Sequence, residues 1–353
     1  MLPLIVGIEG YELSAREQEM FTELQPAGYI LFSRNIADYE QVRELTDALR
    51  GLTSGVYDPI IAIDQEGGRV VRTGALGIRL PSAAALAATR SEHRITLAAH
   101  YTARCLHTLG INTDFAPVLD LASCRQNALS GRCWGVESQG VISHAGVWNR
   151  TMLRQGIMTC GKHFPGMGGA QQDPHFGLPT LPTTKEEFLA EPTIPFTALM
   201  PELPSLMVAH LMVPSMDTQQ PSSLSAAMVQ DFLRGQLGYD GVVFTDDLCM
   251  GAISASLSQA AAQALTAGCD APLICHQVSD HLQDVASALN RLPTGILHDA
   301  TRRLERFRLC IPAARPPMRF IEWREFADEV HVFCSSVKEP ETESNSDSPV
   351  LRY

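Results

Sequence analysis

Residues 162–175 read KHFPGMGGAQQDPH, a lysine, two histidines and an aspartate set among three glycines and two prolines. The stretch is too polar for a core strand and too rich in Gly and Pro for a helix, so it is a loop. Imidazoles and a carboxylate on such a loop could hold a metal, assist a nucleophile or carry a proton. A metal is one reading, because His163, His175, His210 and Asp246 are all ligand types. The spacing does not support it: no HxH pair, HExxH motif or Cys/His cluster occurs anywhere in the chain. The expectation is therefore a site without metal or other cofactor. A barrel that only binds a ligand is the second reading, and the pairing of Asp with His argues against it in favour of proton transfer.

Glycoside cleavage is the third. It needs one carboxylate to attack or stabilise an oxocarbenium-like centre and one acid to protonate the departing oxygen. Asp246 and Asp247 lie at the end of the apolar run GVVFTD and face opposite sides of an extended strand. Spacing alone leaves open which of them is the first group. Asp173 and His175 are two residues apart, and Pro174 biases Asp173 toward extended backbone. On one side of an extended segment, Asp173 could orient the His175 ring and raise its basicity, leaving the other ring nitrogen to handle a proton.

Groups of this kind must be placed by a scaffold, and the chain supplies one. Eight short apolar runs alternate with helical periodicity: residues 4–8, 29–32, 60–64, 112–117, 157–163, 205–211, 241–246 and 271–276. Asp38 can cap a helix with Gln41 three residues on, and Val42, Leu45, Leu49 and Leu52 form its apolar stripe. Ser225 precedes a second stripe, Val229, Phe232, Leu233 and Leu237, stopped by Gly238, and Gly110 and Gly268 mark two further helix ends. Eight near-continuous apolar strands separated by helices predict a single-domain α/β fold, the (β/α)8 TIM barrel. A doubly wound sheet is disfavoured because no GxGxxG follows the first strand. Asp64, Lys162, His163, His210 and Asp246 then fall at or near C-terminal strand ends, where barrel chemistry sits.

The bulk numbers narrow the class further. Net charge is −12, from 27 basic and 39 acidic residues, which excludes a general nucleic-acid binder. A hydrophobic fraction of 45% against 19% charged residues is that of a globular chain. The 9 cysteines are scattered without a CxxC pair and read as reduced thiols. Among them Cys105, Cys160 and Cys269 read as small core residues. MLPLIVGIEG reads as a first strand rather than a signal peptide, and no apolar run is long enough to span a membrane. A cytoplasmic protein without nucleic-acid or membrane partners is expected. No internal repeat is seen. Residues 313–334 should form an extension, a helix and a strand, packed on the barrel. Residues 335–353 are acidic and polar, and are expected to be a disordered tail.

Five blocks together carry a resemblance: IAIDQEGGRVVR (61–72), NTDFAPVLDL (112–121), GKHFPGMGGAQQDPH (161–175), LMVAHLMVPSMD (206–217) and LGYDGVVFTDDLCM (237–250). In this order they resemble glycoside hydrolase family 3, and more narrowly its single-domain bacterial β-N-acetylglucosaminidases of peptidoglycan recycling, the NagZ type. The resemblance runs from residue 1 to about 312 and implies a TIM-barrel catalytic domain over 1–312. It implies that Asp246 is the nucleophile of a retaining reaction and that His175 and Asp173 form the acid/base dyad. It further implies that Asp64, Arg72, Arg132, Lys162 and His163 contact the terminal sugar. The substrates implied are small carbohydrates or muropeptides such as GlcNAc-1,6-anhydro-MurNAc and its peptides, acted on by a monomer. At this length no room is expected for the second α/β domain that supplies a different acid/base residue in family 3 β-glucosidases.

Two positions depart from the family pattern. PGHG or PGDG is PGMG here, with Met167 expected to pack the loop, and the dyad's usual Ser or Thr is Pro174, which stiffens the loop. Three alternatives accompany the reading: a phosphorylase using the same site, substrate-assisted chemistry through the acetamido group, and an inactive sugar-binding barrel. Trp134 is open between a sugar floor and packing, His210 between site wall and support. Asp247 reads as a cap or a hydrogen-bond partner of its neighbours.

Overall fold

The computed structural model describes residues 1–55, 57–122, 127–170, 173–174 and 176–339. Eight parallel strands close into a barrel in chain order: β1 (Leu2–Gly7), β2 (Pro26–Leu31), β3 (Ile60–Ile63), β4 (Thr113–Asp114), β5 (Met158–Phe164), β6 (Ser205–Val208), β7 (Val242–Asp247) and β8 (Ala271–Ile274). Each expected apolar run contributes one strand. Closure pairs β1 with β8 through Ile5 opposite Leu273, so no strand edge is left open. Inside the barrel Ile5, Ile30, Ala62, Phe115, Met207, Phe244 and Leu273 are buried together. Phe115 and Phe244 meet at 5.1 Å between ring centroids. Barrel-facing side chains alternate with those facing the helices, the period expected of strands buried on both sides.

The helical layer follows local rules. Helix α1 (Ala15–Leu24) begins with a reciprocal Ser14–Glu17 capping box. Helix α2 (Tyr39–Gly51) is capped by Asp38, whose carboxylate accepts from the Gln41 amide at 2.9 Å, a contact typically worth about 1 kcal/mol. Its Val42, Leu45 and Leu49 are buried, while Leu52 is half-buried beyond the last turn. The outer layer continues with α3 (Ala83–Ala88), α4 (Glu92–Thr108), α5 (Ser138–Gln155), α6 (Lys185–Ala190) and α7 (Ile194–Leu199). The stripe after Ser225 folds as a π-type helix, Ala227–Gln236, with Val229, Phe232 and Leu233 buried. Helix α8 (Leu257–Ala267) is capped by Gly268, and α9 (Val278–Leu289) and α10 (Thr294–Leu309) follow. Phe307 of α10 meets Phe244 edge-on at 6.2 Å and closes the N-terminal end of the barrel. The opposite, C-terminal end is left to the loops.

Two expectations about the C-terminal segment are corrected. Instead of a helix and a strand there is one helix, α11 (Phe320–Ser335), burying Trp323, Phe326, Val330 and Phe333. The ordered chain also runs past residue 335: Val337 is buried, and Glu339 accepts hydrogen bonds from Ser82. A 3.6-residue apolar period running through Trp323, Phe326, Val330 and Phe333 favours one continuous helix over a helix and strand. Residues 340–353 lie outside the described residues.

Candidate active site

At the C-terminal mouth the loops after β3 and β5 bring opposite charges into contact. Asp64 immediately follows β3, and Lys162 projects from β5. The Lys162 ammonium lies 2.6 Å from Asp64 Oδ1 and 2.6 Å from Glu66 Oε1. Arg132 clamps Glu66 with both edges of its guanidinium, at 2.7 Å and 2.8 Å, and Arg72 Nη2 is 3.6 Å from Asp64 Oδ2. Burial works against charge on Glu66, Lys162 and Arg132, yet their mutual pairing outweighs it. Burial pushes the Glu66 carboxyl up, but Arg132 and Lys162 hold it well below the usual range. Burial pulls Lys162 down, but Asp64 and Glu66 raise it above an ordinary lysine. A network of this kind locks each side chain in one geometry.

The β3 loop is held by its own side chains. Gln65 Oε1 accepts from the Arg72 amide at 3.0 Å, and Gln65 Nε2 donates to Thr73 Oγ1 at 2.8 Å. The Arg72 guanidinium lies 5.5 Å from the centroid of the Phe32 ring, which lines the same cavity. Beneath them Asp114 of β4 is fully buried. Its Oδ1 accepts from the Gln65 amide at 2.9 Å, while its Oδ2 has no hydrogen-bond partner among the described residues. Burial drives its carboxyl well above the normal range; the Gln65 amide and Lys162 oppose this, and Asp64 and Glu66 add to it.

His163 is held through its other face. Its Nδ1 is 2.7 Å from Asp120 Oδ2, and that carboxylate also accepts from the His163 amide at 3.1 Å and the Met167 amide at 2.8 Å. With Nδ1 donating to a carboxylate, Nε2 is the acceptor for Arg132 Nη2 at 3.3 Å. Asp120 thus sets both the ring and the first turn of the loop beyond β5.

The end of β7 separates two adjacent carboxylates by task. Asp247 Oδ1 accepts from the Cys249 amide at 3.0 Å and the Cys275 amide at 3.1 Å, tying β7 to β8. The carbonyl of Asp247 accepts from His210 Nε2 at 2.9 Å, and His210 Nδ1 faces Ser223 Oγ at 2.7 Å. His210 is fully buried and buttresses the strand end through these two contacts. Asp246 is half-buried at the cavity, and its Oδ1 accepts from the Asp247 amide at 2.9 Å.

One cavity gathers Asp64, Arg72, Arg132, Lys162, His163 and Asp246, together with Glu66, Asp247, Met167 and Pro174. Asp173 is half-buried next to Pro174; burial, and then Arg132, lower the pKa of the Arg69 guanidinium, and the charges of Asp173 and Glu66 oppose this. Pro174 is buried, and its carbonyl accepts from the Ala252 amide at 3.1 Å. His175 lies outside the described residues. Among the described residues no cluster of His, Cys, Asp and Glu is arranged to hold a metal, and no helix is long and apolar enough to cross a membrane. Trp134, in the loop before α5, is buried in the core cluster outside the barrel and does not line the cavity. Burial raises the thiols of Cys105 and Cys160 to about 12, as for inert core residues.

The sequence model of the glycosyl hydrolase family 3 N-terminal domain matches residues 4–307. The chain belongs to glycosyl hydrolase family 3. A family 3 relative, the β-hexosaminidase of Alkalilimnicola ehrlichii, is 36% identical over 300 residues, covering 82% of this chain and 84% of the relative. NagZ from Neisseria gonorrhoeae, solved in complex with N-trifluoroacetyl-D-glucosamine, superposes with a TM-score of 0.80 at 26% identity, over 94% of this chain and 98% of that one. A fungal multi-domain GH3 β-N-acetylglucosaminidase gives a TM-score of 0.89 at 27% identity; 94% of this chain matches it, spanning 42% of that longer protein.

Two further residues organise this site, Glu66 and Asp120, neither of them among the residues expected there from sequence, and both lie within the motifs at 61–72 and 112–121. Glu66 follows Asp64 by two residues, the spacing that puts side chains on one side of an extended segment. Asp120 closes NTDFAPVLD, where an acidic residue after a buried apolar run needs a partner.

Proposed function

We propose that this family 3 chain is a retaining exo-β-N-acetylglucosaminidase that removes terminal β-linked GlcNAc from peptidoglycan fragments, including GlcNAc-1,6-anhydro-MurNAc and its peptides. The observation that carries the reading is the meeting of Asp246 with Asp64, Arg72, Arg132, Lys162 and His163 in one cavity at the barrel mouth. Similarity to enzymes named β-hexosaminidase, and to a NagZ solved with an N-acylglucosamine, supports the sugar class.

In this mechanism the charged groups of β3 and β5 make charge-assisted hydrogen bonds to the hydroxyls of the terminal sugar. An Asp246 oxygen attacks C1 as the C1–O bond to the aglycone breaks, and His175 gives its proton to the departing oxygen. A covalent glycosyl-enzyme results. His175, now neutral, takes a proton from water, whose oxygen attacks C1 and releases GlcNAc with its configuration retained and Asp246 ionised again. Asp173 orients the imidazole and stabilises its protonated form. Pro174, which separates Asp173 from His175 in the chain, is itself tied to the segment after β7 through the Ala252 contact.

The test is hydrolysis of an aryl β-GlcNAc by the wild type, Asp246→Asn and His175→Ala. Asp246→Asn should be nearly inactive. His175→Ala should keep far more activity when the leaving group is good and needs little protonation. Equal rates in all three would overturn the assignment. GlcNAc-1-phosphate formed in phosphate buffer would reassign the second step from water to phosphate.

A further inference from the structure

Outside the barrel, the C-terminal extension reaches back to the loop that carries the acidic sugar contacts. Trp323 stacks on Tyr39 of α2 at 5.0 Å with 17° between planes. Phe326 and Phe333 pack on Tyr101 of α4 at 6.1 Å and 5.5 Å. Beyond the helix, Arg94 Nη1 donates to the Ser336 carbonyl at 2.6 Å, and buried Val337 pins the chain. These contacts deliver Glu339 to Ser82. Glu339 Oε1 accepts from the Ser82 amide at 2.8 Å and Oε2 from Ser82 Oγ at 2.6 Å.

Ser82 is not a remote point on the surface. The Gly67–Gly68 turn lies directly against Pro81 and Ser82, with the Gly68 amide donating to the Leu80 carbonyl at 2.8 Å. A Cβ at Gly67 would lie 2.3 Å from the Pro81 carbonyl oxygen, and one at Gly68 2.4 Å from Ser82 Cβ. Both glycines have positive φ, 92° and 59°, so the turn fits only as glycine and leaves no slack. Asp64 and Glu66 precede that turn and Arg72 follows it. A shift of Ser82 therefore passes to both sides of the sugar-binding loop.

We propose that Glu339 is a positioning residue for substrate: the C-terminal extension is a strap that holds the 64–72 loop in its binding geometry through the Glu339–Ser82 bidentate contact. The proposal rests on the reading of Asp64 and Arg72 as sugar contacts. Glu339 touches no substrate, so its loss should affect binding more than turnover. In Glu339→Ala, KM for an aryl β-GlcNAc should rise about tenfold while kcat stays within about twofold. Glu339→Gln should restore KM, because its amide oxygen can accept from the Ser82 amide while its NH2 donates to Ser82 Oγ. Amide hydrogen exchange in the full-length protein supplies a readout that needs no substrate. In Glu339→Ala, exchange across 65–72 should speed up about tenfold while the β-strands remain as protected as in the wild type. Unchanged exchange at 65–72, or an unchanged KM in an active enzyme, would overturn the strap. A fall in kcat alone accompanied by a lower melting temperature would reduce Glu339 to a structural contact. If the wild type is inert on the sugar, the proposed activity fails, and the exchange result alone decides for or against the strap.

Discussion

Lys162 Nζ lies 2.6 Å from Asp64 Oδ1, linking β5 to the loop after β3 across the barrel mouth. Its second partner, Glu66, is buried at the same distance. Removing the lysine leaves two carboxylates short of a cation. Lys162→Met should therefore cost about 3 kcal/mol or more in urea unfolding at neutral pH. Glu66 is held below its ordinary pKa, so the stability from its pairing is present above the unfolded carboxyl range and lost as pH falls through the folded value. The deficit of the variant should accordingly narrow on acidification below about pH 4. Equal unfolding midpoints at neutral pH would mean that the network contributes nothing to stability.

The adjacent carboxylates of β7 should separate by chemistry. Asp246→Asn should lower kcat/KM about a thousandfold or more. Asp247→Asn keeps an oxygen for the Cys249 and Cys275 amides and should lose less than about tenfold. A 2-fluoro sugar should trap an adduct, and mass spectrometry should locate it on Asp246. An adduct on Asp247, or none with an active wild-type enzyme, would contradict the covalent reading.

Asp114 should make the protein prefer acid. Its folded pKa is raised by burial, so the folded state keeps a proton that the unfolded chain releases. Stability from this group is full below the unfolded pKa of about 3.9 and is lost as pH rises through the folded value. Asp114→Asn fixes the neutral form. Relative to the wild type, the variant should gain stability steadily from pH 4 upward in thermal melts, with the gap levelling once wild-type Asp114 ionises. A gap that does not change with pH would show that Asp114 is ordinary.

Pro174 anchors the loop of the proposed dyad through its carbonyl and the Ala252 amide. Pro174→Ser frees φ while leaving that acceptor in place. If loop opening limits product release, kcat should rise about two- to fivefold, with faster proteolytic nicking between 165 and 180. A lower kcat with unchanged nicking would show that the proline aligns the dyad without restraining it.

Much of this arrangement was legible along the chain because it depends on near neighbours. Apolar runs and capping residues such as Asp38 respond to periods of two or 3.6 residues, so eight strands and the helices between them can be read locally. The same holds for polar residues at strand ends, since Asp64, Lys162, His163 and Asp246 follow or close buried runs. The helix-and-strand expectation for 313–334 failed where local propensity was ambiguous; packing of Trp323 and Phe326 on α2 and α4 favours one continuous helix.

Sequence by itself determined the order of the strands, the end of the barrel where charge collects, and the residue types available there. Tertiary structure alone decided the partners: that Glu66 sits between Arg132 and Lys162, that Asp120 fixes His163, that Asp247 accepts from the Cys275 amide just after β8, and that Glu339 closes on Ser82. Those contacts join residues between 28 and 257 positions apart. Barrel closure sets such distances, and no local period encodes them, because a charge finds its partner only after the whole sheet has curled shut.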